Sequence, residues 1–239
     1  PHLGRIESTN PCGEQPLLPY ESCNLGSVNL ARMVSRAASG AEIDFKRLED
    51  IVRMAVRFLD DVIEVNRFPL PEIRERTLAT RKIGLGVMGF ADFLLQLGIP
   101  YNSEEALSAA ERVMEFISDT ANKESADLAR ERGAFPAFEG SIYDRTGQPV
   151  YRNASRTTIA PTGSLSILAN CSSGIEPLFA LTYQRHILDG EDFLEVNPFF
   201  EETARERGFY SERLMRALAG GEHLRDMEDI PEDVKKTFV

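Results

Sequence analysis

An amide, a thiol and a carboxylate stand within five residues near the start of the chain: Asn10, Cys12 and Glu14, in the run Asn-Pro-Cys-Gly-Glu. Pro11 stiffens this loop and Gly13 permits a tight turn, so the thiol can sit at a tip. In an extended loop, residues two apart face the same way. The spacing therefore predicts that the three groups converge on one ligand. Taken alone, the segment reads equally as a turn around a half-buried cysteine, since free cysteines pack as small apolar residues. A cysteine-nucleophile hydrolase would need a histidine able to activate Cys12. His2, His186 and His223 are scattered and show no metal-ligand spacing, so no metal site is expected.

A second cluster is Pro161-Thr162-Gly163-Ser164, between a β-prone run at 156–160 and a predicted helix at 164–169. Free N–H groups at a helix N-terminus, with Thr and Ser hydroxyls beside them, suit an anion. Taken alone, Pro-Thr-Gly-Ser is also a common turn. Gly84, Gly86 and Gly89 satisfy Gly-x-Gly-x-x-Gly. A dinucleotide signature needs a strand before it and an acid at a second strand end about 20 residues on. Here a charged stretch, 72–82, precedes and a helical region follows, so these glycines read as places of close backbone packing.

The elements that must position these groups are legible in part. Residues 1–30 read as a loop followed by a short buried strand. Residues 44–66 predict a helix capped by Asp44, with Leu48, Ile51, Val52, Ala55, Leu59, Val62 and Ile63 at helical spacing and Pro69 and Pro71 stopping it. Residues 82–98 predict a buried strand or turn running into a buried helix. Ser103 caps a helix over 104–132, ended by Gly133. Residues 178–188 are β-prone, and 196–238 predict two or three short acidic helices. The class is α/β.

Composition narrows the function classes. The 239 residues carry a net charge of −11, which disfavours binding to nucleic acid. A backbone nest can still hold a small phosphorylated ligand. No apolar run approaches the ~18–20 residues of a membrane span, and no secretory signal is visible. The three cysteines, Cys12, Cys23 and Cys171, are too few for a disulfide framework and fit a reducing cytoplasm. A rich motif this close to Pro1, with no initiating methionine, is expected of a piece of a longer protein or one chain of a split one.

The order of motifs resembles ribonucleotide reductases. Asn-Pro-Cys-Gly-Glu at 10–14 is followed by Ser-Cys-Asn-Leu-Gly-Ser at 22–27, Lys-Ile-Gly-Leu-Gly-Val-Met-Gly-Phe at 82–90, Ala-Pro-Thr-Gly-Ser at 160–164 and Ser-Ser-Gly-Ile-Glu-Pro at 172–177. The resemblance implies part of a ten-stranded α/β barrel built from two half-sheets, with a finger loop, 8–24, through its centre. The chain would be one catalytic-barrel portion, with the N-terminal half-barrel and the C-terminal thiol tail absent. It implies a thiyl radical on Cys12 that abstracts the ribose 3′ hydrogen. Glu14 would take the 3′-hydroxyl proton, Asn10 would orient the ribose hydroxyls, and water would leave from the 2′ carbon.

Cys23 would be a redox cysteine paired with an upstream thiol, although without Cys12 it reads as a small core residue on a strand. Segment 160–166, through Pro161, Thr162, Gly163 and Ser164, would hold substrate phosphates, with Ser172, Ser173 and Gly174 near the substrate. The wording of the loop most resembles the adenosylcobalamin class. The alternative is a diiron or dimanganese radical subunit. Implied partners are a ribonucleoside di- or triphosphate, a thioredoxin- or glutaredoxin-type reductant, a complementing chain or further segments, and a second copy in a homodimer. A competing reading is a non-catalytic half that becomes active only on pairing.

Overall fold

The computed structural model describes residues 3–37, 40–186 and 192–238. In the N-terminal third, β1 (Ser8–Thr9) and β2 (Pro16–Leu17) pair antiparallel, Ser8 opposite Leu17, and carry residues 10–15 as their loop. β3 (Asn24–Asn29) leads through a short 3-10 turn to β4 (Val34–Ala37) and β5 (Gly40–Ile43), themselves an antiparallel pair. α1 (Phe45–Val65) begins where the Asp44 side chain accepts the Arg47 N–H. It ends before either proline. Pro71 instead occupies the first turn of α2 (Pro71–Thr80), where its missing N–H costs nothing.

β6 (Ile83–Met88) is buried at all six positions and runs parallel to β3, Asn24 opposite Ile83 through Asn29 opposite Met88. Its glycines are required by contact. A Cβ on Gly84 would collide with Leu25 and Thr158, and one on Gly86 with the Thr158 carbonyl oxygen. The Gly-x-Gly run is thus the strand itself, not a turn after one. α3 (Phe90–Leu97) follows, and then α4 (Glu104–Arg132), capped by the Ser103 hydroxyl at the Ala106 N–H and closed by Gly133. α1 packs on β3 and β6, α4 packs on α1, and Leu48, Val52, Val56, Val113, Ile117 and Leu128 share the core so formed. Each such side chain contributes about 1.5–3 kcal/mol on leaving water.

Residues 134–162 are irregular apart from α5 (Ile142–Arg145). The β-prone run at 156–160 makes one parallel bridge, Thr157 to Leu85, rather than a strand of its own. α6 (Gly163–Ala169), the antiparallel pair β7 (Thr182–His186) and β8 (Asp192–Val196), and then α7 (Pro198–Glu206), α8 (Glu212–Ala219) and α9 (Glu232–Phe238) complete the chain. The last three helices enclose a second core around Phe200, Met215 and Phe238. Among the described residues the strands form four two-stranded sheets and no closed barrel. No described helix is long and apolar enough to cross a membrane.

Candidate active site

The β1–β2 hairpin turns tightly at its tip. Gly13 N–H donates to the Asn10 carbonyl at 3.0 Å, and Asn10 N–H to the Gln15 carbonyl at 3.2 Å. The loop is therefore a turn and not the extended strand from which convergence of Asn10, Cys12 and Glu14 is expected. Asn10 spends its amide oxygen on the Gln15 N–H, at 2.9 Å, and so braces the loop. Cys12 stands exposed at the tip as a free thiol. Glu14 turns inward, and its Oε2 is buried with no hydrogen-bond partner among the described residues. A buried carboxylate oxygen left unpaired is uncommon in a fold that otherwise satisfies its polar groups.

The base of the hairpin is fastened from two sides. Glu21 accepts the Leu18 N–H at 2.8 Å, the Thr80 hydroxyl and the Lys82 ammonium at 2.8 Å. Lys82 also donates to the Pro16 carbonyl at 2.9 Å. On the other side, Thr158 Oγ1 donates to the Glu14 carbonyl at 3.1 Å, and the buried Gln15 lies beside Ser155. Half-buried Cys23 follows on the entry to β3. Burial pushes its thiol up, the Glu14 and Glu21 carboxylates push it further, and Lys82 opposes them. Glu14 thus lies near enough to Cys23 to act on its thiol, and Cys12 is exposed at the tip.

The run from Ser155 leads directly into the second predicted cluster. Pro161, Gly163 and Ser164 are exposed and Thr162 is partly so. Thr162 is the N-cap of α6 but holds a left-handed backbone, φ 58°, that β-branched residues rarely adopt. Its hydroxyl accepts the Gly174 N–H at 2.8 Å. Ser173 Oγ shares a hydrogen bond with the buried Ser166 Oγ at 2.8 Å. Ser172 is buried against the start of α3, bonded to Asp92. The Ser172–Gly174 segment therefore clasps the Pro161–Ser164 loop from behind, and Glu176 is exposed beyond it. α6 has only seven residues, so its dipole is small, and the loop's hydroxyls and N–H groups must carry most of any attraction for an anion.

Reading by motif gives no role to Glu21, Lys82, Ser166 or Asp92. Asp92 had a visible signal: it is the lone charged residue between Ile83 and Leu95.

The family model described as the ribonucleotide reductase barrel domain matches residues 1–150 and 148–239. The chain belongs to this family. Among curated relatives of this barrel domain, a vitamin B12-dependent ribonucleoside-diphosphate reductase of Thermoplasma acidophilum is 58% identical over 238 residues, covering 100% of this chain and 30% of the relative. One of the same description from Mycobacterium tuberculosis is 52% identical, covering 100% of this chain and 33% of its own length. The chain thus spans about a third of the relatives it matches. The ribonucleoside-diphosphate reductase subunit alpha of Chlamydia pneumoniae is 30% identical over 279 aligned positions, covering 100% of this chain and 26% of that protein. The class Id ribonucleotide reductase alpha subunit of Actinobacillus ureae shares the fold, with a TM-score of 0.74 at 24% identity over 98% of this chain and 42% of that one.

Proposed function

We propose that this barrel domain is the catalytic portion of an adenosylcobalamin-dependent reductase that converts ribonucleoside diphosphates to 2′-deoxyribonucleoside diphosphates. The observation that carries the reading is the hairpin. It presents a free, exposed thiol at Cys12 while holding a buried, unpaired carboxylate oxygen of Glu14 beside the half-buried thiol of Cys23. In the whole protein the barrel would have ten strands in two half-sheets, with this hairpin as its central finger.

The exposed tip fits a radical source that approaches from outside the hairpin, because Cys12 is open to solvent. Adenosylcobalamin, when bound, supplies the radical that removes the hydrogen atom from the Cys12 thiol. Cys12 then exchanges hydrogen with the ribose 3′ carbon. The unpaired Glu14 oxygen accepts the 3′-hydroxyl proton, a general-base task that needs an acceptor not already engaged. Asn10 holds the turn and orients the ribose hydroxyls, and the 2′-hydroxyl departs as water. Cys23 and a partner thiol give up two electrons and two protons, one leaving in the water and one ending on the 2′ carbon, and become a disulfide, which a thioredoxin- or glutaredoxin-type protein reduces. Pro161, Thr162, Gly163 and Ser164 hold the diphosphate, with Ser172, Ser173 and Gly174 behind them. The complete enzyme works in the cytoplasm as a homodimer.

The test of class uses the full-length protein with a ribonucleoside diphosphate and a dithiol. Turnover with adenosylcobalamin alone is expected. Turnover that requires a metal-radical subunit instead would keep the family and remove the cobalamin assignment.

A further inference from the structure

Asp92 is a buried carboxylate, 3% exposed, that the chemistry above does not use. It occupies the third position of α3, whose N-cap is Gly89, a residue with no side chain to cap the helix. The cap arrives from 80 residues away. Ser172 Oγ accepts the Asp92 N–H at 3.3 Å, and Asp92 Oδ2 accepts the Ser172 N–H at 2.6 Å. This is the reciprocal geometry of a capping box, made between two distant segments. Gly89 N–H donates to the Ser172 carbonyl at 2.7 Å and Phe90 N–H to the Gly174 carbonyl at 3.4 Å, so the first turn of α3 grips the whole Ser172–Gly174 segment. Asn197 Nδ2 holds the other Asp92 oxygen at 3.1 Å.

The grip passes on to the loop. Gly174 N–H holds the Thr162 hydroxyl, and Gly174 itself has φ 46° and lies so close to the Ala160 carbonyl that a side chain would crowd it. Thr162 keeps its strained left-handed backbone only while something holds it there. The link runs by hydrogen bond from Asp92 to Ser172, along the backbone to Gly174, and by hydrogen bond to Thr162. We infer that Asp92 is a positioning residue for the substrate's phosphates: it fixes the Ser172–Gly174 clasp, and the clasp fixes the Pro161–Ser164 loop. The inference rests on the reading of that loop as the phosphate site. The partners of Asp92 are N–H donors and not a cation, and burial raises its carboxyl above the usual range. An unpaired charge held at that cost is consistent with a fixed acceptor for one particular N–H.

The experiment measures kcat, KM for a ribonucleoside diphosphate, and inhibition by inorganic pyrophosphate in the full-length enzyme. Asp92→Ala is expected to raise KM and the pyrophosphate inhibition constant together, by about ten-fold, with kcat within about three-fold. Asp92→Asn, whose amide oxygen still accepts the Ser172 N–H, is expected to recover most of the loss. If Asp92→Ala does not fold, Asp92→Ser, which also removes the carboxylate that accepts the Ser172 N–H, is read in its place and should shift both constants in the same direction. Unchanged pyrophosphate inhibition in these variants, while Thr162→Ala and Ser164→Ala weaken it, overturns the role of Asp92 and leaves the phosphate loop standing. No effect from Thr162→Ala and Ser164→Ala overturns the phosphate reading and this inference with it.

Discussion

Glu14 carries two properties that a substitution separates. Its buried Oε2 makes no hydrogen bond among the described residues, so the carboxylate is a cost to the fold and, in the proposed reaction, an asset to the chemistry. Glu14→Gln should leave the thermal midpoint unchanged or raised while kcat falls about 10²–10⁴-fold, read by calorimetry and a turnover assay on the same sample. A variant that loses stability and keeps its activity would return Glu14 to a structural role. The cysteines make a second prediction. Cys12 is exposed, Cys23 is half-buried with its thiol pushed up, and Cys171 is pushed up to about 11 by burial and by Asp92. Because the thiolate is the reactive form, a raised value lowers reactivity at a fixed pH and delays its rise until the pH climbs. Iodoacetamide followed by peptide mapping should therefore label Cys12 first and Cys171 last. The reverse order would contradict the exposed tip.

At the scale of elements, legibility follows the distance between partners. Asp44 and Ser103 each cap a helix through an N–H three residues on, and Gly133 follows α4 directly, so both long helices can be read from the chain. The tightness of the Asn10–Gln15 turn depends on the choice of the Asn10 side chain to bond Gln15, which spacing alone does not reveal. The cap of α3 comes from Ser172, 80 residues on, where no local pattern points. The glycines of β6 are intermediate: their number suggests close packing, and the fold identifies Leu25 and Thr158 as what they pack against. Gly86→Ala should cost about 1–3 kcal/mol in urea denaturation, because the obstacle is backbone and does not yield as a flexible side chain would. A loss within error would mean that the 156–160 run does not lie against β6.

The molecule as a whole is joined by a buried ionic junction that the sequence does not announce. Asp60, fully buried on α1, accepts Arg81 at 2.9 Å, Asn153 at 2.9 Å, and Arg132 and Arg152 at 3.3 Å each. It ties α1 to the ends of α2 and α4 and to the segment that runs on towards the Pro161–Ser164 loop. Asp60→Ala leaves the buried Arg81 and Arg152 guanidinium groups with only the half-exposed Glu64 as a shared carboxylate and should cost about 3–5 kcal/mol by chemical denaturation. A cost under about 1 kcal/mol would show that the junction is solvated in practice. The central claim is that Cys12 at the finger tip is the hydrogen-abstracting thiol. It is tested most directly by following ribonucleoside diphosphate conversion in the full-length protein, with adenosylcobalamin and a dithiol, for the native sequence and for Cys12→Ala. The account predicts deoxyribonucleotide from the native protein and none from Cys12→Ala, with both equally folded. Deoxyribonucleotide formed at the native rate by Cys12→Ala would contradict it.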